Sequence, residues 1–266
     1  VFLFDAAEGV QRQLMLYGVS YAKIKAVFLS HLHADHFLGL LGLVQTMNLS
    51  GREDALRIYG PAGATAFLTE LFSFKGLKPR FSLVIKDARK GVVLRNKLYT
   101  VRAFETDHSC ESLGYSFAEN SYLRFHEDAA RAAGVHGHLF TELMEKKKLE
   151  INKKIVLLKD VTYKQEGKKI IFSGDTVPCS ALARAAKNAD LLVHDSCFAK
   201  QQEALALEKK HSTAEQAAKI AKKAGVKQLM LTHISNRYND RTPLLKEAQA
   251  VFPNTVIASE GMELMV

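Results

Sequence analysis

Short apolar runs alternate with amphipathic stretches along this chain, and the runs repeatedly end in a histidine or an aspartate. Val1-Phe2-Leu3-Phe4 is apolar enough for a buried strand and stops at Asp5. Glu8 to Tyr17 predicts a helix that ends at Gly18. Ala26-Val27-Phe28-Leu29, partly β-branched, predicts a second strand. Beyond it, Leu38, Leu41, Val44 and Met47 predict the apolar face of a helix closing at Ser50-Gly51. Leu56 to Tyr59 reads as a strand broken by Gly60-Pro61, and Ala62 to Phe72 reads as helical. Leu98 to Phe104 alternates as a strand and ends at Thr106-Asp107-His108, with Leu113 to Phe117 as its hairpin partner.

From residue 169 the alternation is regular. Lys169 to Phe172 is a strand that ends in Ser173-Gly174-Asp175-Thr176, and Cys179 to Asn188 is a helix. Leu191 to Val193 is a strand ending in His194-Asp195. Ser212 to Ala224 is a helix with a Ser212-x-x-Glu215 capping box and a stop at Gly225. Gln228 to Leu231 ends in Thr232-His233, Thr242-Pro243 opens a helix, and Val256 to Ala258 is the last strand. This order predicts a layered α/β fold. Segment 121–169 interrupts it, being polar and helical in parts, with eleven Lys/Arg against seven Asp/Glu. It reads as an insertion standing off the core, carrying Lys146-Lys147-Lys148; a plain solvated helical hairpin is the alternative.

Length and composition narrow the picture modestly. A chain of 266 residues can bury one large core, so a single domain over 1–266 is expected. No apolar run approaches a membrane span, and no membrane partner is expected. Three scattered cysteines make neither a disulfide framework nor a zinc knuckle, which points to a reducing compartment. The net charge is +9, and segment 75–97 alone contributes +7. That balance suits an anionic partner such as nucleic acid, or equally a solvated sheet edge guarded by lysines. Since the chain opens on Val1 already inside a strand, a leading segment is expected before it.

The chemistry lies where the strands stop. Asp5, His31/His33, His108, Asp175, His194/Asp195 and His233 each follow a predicted strand end, and in layered α/β proteins such ends share one ligand-binding rim. The densest stretch is His31-x-His33-x-Asp35-His36 in a strand-to-helix turn. Imidazole and carboxylate are zinc-type ligands, and this set is too large for one tetrahedral ion, so it predicts a two-metal site.

His31-x-His33-x-Asp35-His36, followed by His108, Asp175 and His233, resembles the metallo-β-lactamase superfamily. Phe4-Asp5-x-x-Glu8-Gly9-x-Gln11-Arg12-Gln13-Leu14 resembles the opening motif of one branch, ribonuclease Z, the tRNA 3′-processing endonuclease. So do His108-x-x-x-x-Leu113-Gly114-Tyr115, Ser173-Gly174-Asp175-Thr176, His211-Ser212-Thr213 and Thr232-His233-Ile234-Ser235-x-Arg237-Tyr238.

The resemblance implies a four-layer αββα sandwich with an inserted basic arm, at 121–169, that binds substrate. It implies two zinc ions, one on His31, His33 and His108 and one on Asp35, His36 and His233, with Asp175 between them. A metal-bridged hydroxide oriented by Asp35 would then cut the 3′ trailer from precursor tRNA. His211, oriented by Asp195, is the candidate general acid, although a histidine simply leading into a helix would look the same. Ser235, Arg237 and Tyr238 are candidate phosphate contacts. Asp5 and His194 are candidate partners behind the ligands. A cytoplasmic homodimer is the assembly implied.

Several positions depart from the branch pattern: Ala6-Ala7 and Val10 replace Cys-Gly and Thr, and His194-Asp195-Ser196-Cys197 replaces His-Glu-Ala-Thr. The family's first strands are absent, and 121–169 contains no proline. A different hydrolase on the same fold, such as a small-molecule phosphodiesterase, arylsulfatase, lactonase or thioesterase, is the competing reading. So is a nucleic-acid-binding protein with a structural metal site.

Overall fold

The structure is a computed structural model describing residues 1–266. Strands β1 (Phe2–Phe4), β2 (Ala26–Phe28), β3 (Leu56–Gly60) and β4 (Leu83–Asp87) lie side by side in that order, all parallel. Parallel neighbours need crossovers, which helices Val10–Leu16, Gly39–Leu49 and Ala64–Ser73 supply. A second sheet begins with β5 (Gly91–Arg95), β6 (Tyr99–Glu105) and β7 (Leu113–Glu119).

The chain divides into two compact units, 1–118 with 169–266 and 119–168. The smaller unit holds β8 (Tyr122–Phe125), β9 (Lys148–Ile151), β10 (Lys154–Leu157) and β11 (Thr162–Gln165), with helices Glu127–Ala132 and Leu139–Lys146. Its strands form two antiparallel ribbons, β8 with β11 and β9 with β10. Ala130, Val135, Leu143, Ile151, Val156 and Leu158 bury into a core of its own. The second sheet is completed by β12 (Lys169–Phe172), β13 (Leu191–Asp195), β14 (Gln228–Thr232) and β15 (Thr255–Ile257). Its order is β15-β14-β13-β12-β7-β6-β5, with β12 to β15 parallel and β12 antiparallel to β7.

Side-chain alternation divides each strand between two cores. Ala26 and Phe28 of β2 face the second sheet with Tyr59, Val101, Leu113 and Tyr115. Val27 and Leu29 face the other way, onto Leu40, Leu43 and Leu68 of the helices. The second sheet repeats the plan, packing Ile171, Leu192, Leu229 and Leu231 against Leu182, Ala217, Ala218, Ala221 and Leu244. Helix, sheet, sheet, helix is therefore the layer order. Burying each large apolar side chain contributes about 1.5–3 kcal/mol. Between the sheets Phe28 stacks on Tyr59 at 5.2 Å, and the Tyr115 hydroxyl donates to the Leu29 carbonyl at 2.7 Å. The last contact fixes β2 next to the turn that carries the histidines.

Four expectations need correction. The capping box of helix Ala214–Ala224 is Thr213 with Gln216, one residue later than Ser212 with Glu215. The reason is that Ser212 Oγ donates to the Thr176 carbonyl at 2.6 Å, and Glu215 pairs with Lys200 and Lys219. The helix after the histidine turn restarts at Gly39, so its buried face is Leu40, Leu43, Val44 and Met47. The first helix begins at Val10, because Gly9 sits at φ 76°. In 119–168, helices were expected but the β9–β10 ribbon was not; its turn is Asn152-Lys153, both at positive φ as tight hairpins require. Segment 75–97 runs along the outermost strands of both sheets, β4 and β5. No helix is long and apolar enough to cross a membrane.

Candidate metal centre

The parallel strands deliver their C-terminal ends to one rim. β1 ends at Asp5, β2 runs into His31 and His33, β12 into Asp175, β13 into Asp195 and β14 into His233. Gly174, at φ 61°, lets this rim close: a Cβ there would lie 2.7 Å from Ser30 Cβ. Two backbone positions at the rim are left-handed without being glycine, Asp5 at φ 56° and His233 at φ 55°. Such conformations are costly and concentrate where side chains must be aimed.

Every histidine whose proton can be assigned has it fixed on the side away from the centre. Asp5 Oδ1 accepts the Ser30 backbone N–H at 2.6 Å, and its Oδ2 accepts the Ser30 hydroxyl at 2.7 Å. That leaves Ser30 Oγ to accept the Nδ1–H of His31 at 2.9 Å. His36 donates its Nδ1–H to Asp5 Oδ2 at 2.7 Å, and His108 donates its own to the Lys210 carbonyl at 2.9 Å. The Nε2 atoms therefore point inward. His31 Nε2 lies 3.0 Å and His108 Nε2 3.3 Å from His33 Nδ1. One proton on His33 can serve only one of those neighbours, whereas a cation serves all three.

Asp175 Oδ2 lies between the two halves of the cluster, 3.8 Å from His31 Nε2, 3.2 Å from His36 Nε2 and 3.3 Å from His233 Nε2. Asp35 Oδ2 closes the second half at 3.6 Å from His36 and 3.7 Å from His233. His36 Nε2 is buried and makes no hydrogen bond, despite its charge contact with Asp175. A set of ring nitrogens converging on a buried carboxylate fits divalent metal, which would displace their protons, and the sets His31-His33-His108, Asp35-His36-His233 and His31-His36-Asp175 each have the necessary closeness.

Electrostatics follows from burial and these neighbours. Burial, then His36, pushes the His31 imidazole down to about 2, so it is neutral. Burial also lowers His108. Burial opposes charge on His36, but contact with Asp175 and Asp5 outweighs it and raises the ring to about 10. Burial alone would raise Asp175, yet His36, His233 and His31 hold it well below the ordinary carboxylate range.

Beside this cluster stands a carboxylate–imidazole pair. Asp195, fully buried, accepts His211 Nδ1–H at 2.9 Å, Thr176 N–H at 3.1 Å and Ser212 N–H at 3.3 Å on Oδ2, and Cys197 N–H at 3.0 Å on Oδ1. Burial disfavours charge on His211, but its hydrogen bond to Asp195 prevails and raises it above the ordinary histidine value. The ring stacks on His233 at 5.1 Å, so the pair and the cluster form one site.

Two expected residues, His194 and Tyr238, are placed differently. His194 is fully buried and turned from the cluster, its Nδ1 bonded to the Asp195 carbonyl at 2.7 Å, because successive strand residues face opposite ways. Tyr238 spends its hydroxyl internally, accepting Ala199 N–H at 2.9 Å and donating to Gln202, so it is not a free phosphate contact. Arg237 is exposed, lies over the Phe198 ring at 4.8 Å and donates Nε–H to Ser235 Oγ at 3.1 Å. The sequence reading missed Ser30 and Lys210. Ser30 directly precedes the motif, which is a signal of sorts; Lys210 acts through its carbonyl, which no side-chain pattern reveals. It also missed Cys197, whose thiol is within ligand distance of His211 and His233. Burial, then Asp195, pushes that thiol up to about 12.

Comparison with known proteins adds an independent line. The family model of the beta-lactamase superfamily domain matches residues 1–133 and 159–234. Ribonuclease Z of Methanosarcina acetivorans is 44% identical over 271 aligned positions, covering 100% of this chain and 88% of the relative. Ribonuclease Z of Gemmatimonas aurantiaca is 41% identical, covering 98% and 85%. Among solved structures, the short form of human tRNase Z superposes with a TM-score of 0.69 at 25% identity, over 98% of this chain and 86% of that one.

Proposed function

This chain belongs to the ribonuclease Z family of the β-lactamase superfamily, metal-dependent hydrolases, and from that premise we propose that it removes the 3′ trailer of precursor tRNA. The observation that carries the reading is the Asp195–His211 pair set directly against the imidazole cluster. Phosphodiester cleavage at a ribose needs a proton for the departing oxygen as well as an activated water, and this site offers a donor for it.

Two zinc ions would be held by His31, His33 and His108 and by Asp35, His36 and His233, with Asp175 shared. Bound there, divalent metal supplies charge against the phosphate and acidity to the attacking water. The chain's own residues do the rest. Asp35, 67% exposed at the mouth, orients that water. His211, held by Asp195, gives its Nε2 proton to the leaving oxygen. Ser235 and Arg237 meet the flanking phosphate, and the basic unit 119–168 binds the tRNA body. A homodimer in the cytoplasm is the assembly we infer; three free cysteines suit a reducing compartment.

The decisive experiment is metal analysis beside cleavage of a trailer-bearing tRNA precursor and a generic small phosphodiester. Metal-dependent cut at the trailer junction is the expected result. Hydrolysis of the small ester alone would assign the site to another chemistry on this fold.

A further inference from the structure

We propose that Lys210 is a positioning residue that ties the metal ligand His108 to the general acid His211 through a left-handed backbone turn. The inference rests on the roles just assigned to those two histidines. Helix Glu203–Glu208 ends at Lys209, and the next two residues close it in a recognisable way. Lys210 N–H donates to the Leu207 carbonyl at 3.2 Å and His211 N–H to the Ala206 carbonyl at 2.8 Å. This double closure requires its first residue past the cap to be left-handed, a place glycine usually fills. Here it is lysine, at φ 59°.

That turn does two things at once. It aims the Lys210 carbonyl at His108 Nδ1, 2.9 Å away, which fixes the ring with Nε2 facing the cluster. It also sends the chain back so that His211 meets Asp195. The side chain adds a second hold on the same strand end, its Nζ lying 3.1 Å from Asp107 Oδ1. If the backbone at 210 left the left-handed region, the carbonyl and the following ring would move together. Metal binding and proton donation should then fail together, although residue 210 is not among the candidate metal ligands.

The test is a graded series in the full chain, with Lys210→Gly, Lys210→Asn, Lys210→Ala and Lys210→Val. Glycine and asparagine accept left-handed backbone, alanine does so poorly and valine worst. Two quantities are read for each: metal affinity by chelator competition, and tRNA turnover relative to a nitrophenyl phosphodiester, whose leaving group needs no proton. Glycine and asparagine should stay near native in both. Valine should lose about ten-fold or more in metal affinity and at least about ten-fold in tRNA turnover relative to the nitrophenyl ester. Should the valine chain not fold, the alanine–glycine difference carries the same comparison.

Equal losses in glycine and valine would place the role in the Asp107 ion pair and overturn the proposal. So would loss of one quantity without the other, or an unperturbed valine chain. His108→Ala and His211→Ala, made beside them with Lys210 intact, test the underlying reading separately: unchanged metal binding in the first, or unchanged tRNA turnover in the second, refutes that reading rather than the turn.

Discussion

The two units of this chain handle charge in opposite ways. At the metal rim, carboxylates and imidazoles are mostly buried, and each is aimed by a named partner: Asp5 by Ser30 and His36, His108 by the Lys210 carbonyl, Asp195 by three N–H groups and His211. In unit 119–168 the charges stand in solvent and pair one turn apart within each helix, Glu142 with Lys146 and Glu127 with Arg131. Exposed pairs of that kind contribute little, because solvent screens them. A buried group whose partner is removed costs far more, because solvent cannot replace it. On the proposed reading the rim works through geometry, and the smaller unit works through summed charge. Substitutions should therefore be drastic in one place and graded in the other.

The sharpest break of that contrast lies at Asp175. Asp175→Ala should strip both metals and lower turnover of every phosphodiester by about a thousand-fold or more, beyond what a lost outer partner costs. Elemental analysis of the purified variant decides it; two ions retained in a folded chain would sink the shared-carboxylate assignment. Next comes His211→Ala, expected to keep its metal while tRNA turnover falls about a hundred-fold. A nitrophenyl ester should suffer much less, and Asp195→Asn should show the same pattern more weakly. Equal losses on both substrates would make His211 structural.

Asp5→Asn should be smaller again, weakening metal binding by about ten- to a hundred-fold, since one carboxylate oxygen becomes an N–H donor and the amide cannot accept from both the Ser30 backbone and His36. Isothermal titration with zinc would expose an unaltered affinity, which would remove Asp5 from the centre. The mildest change is neutralising Lys146, Lys147 and Lys148 together. Binding of precursor tRNA should weaken and the slope of affinity against salt should become shallower, by up to roughly one unit per lost phosphate contact. Small-ester hydrolysis should stay intact; if it falls in parallel, the separation of geometry from summed charge is wrong.

Much of the fold was legible because its strands are short, apolar and punctuated by polar ends, a pattern set by burial on both faces. The clustering of the candidate residues was legible for the same reason, since His31, Asp175 and His233 each interrupt such a pattern. Three things were not. The capping box slipped by one residue because Ser212 had a tertiary acceptor in Thr176, invisible along the chain. Tyr238 looked available because a phenol's partner cannot be read locally. The β9–β10 ribbon was hidden by its brevity, since Lys148-Leu149-Glu150-Ile151 is too short an alternation to stand out from helix.

One topological detail bears on how such a molecule is put together. The fifty residues of the smaller unit leave after Ala118 and return at Lys169, and those two are direct partners in the antiparallel ladder of β7 and β12. The larger unit would therefore be whole without them: a two-residue turn could join the same strands as an ordinary hairpin. The excursion adds little chain-closure entropy to a sheet whose ends already meet. The unit proposed to recognise substrate can consequently be lengthened, shortened or exchanged at this junction while the larger unit keeps its register, which makes the chain modular at a single seam.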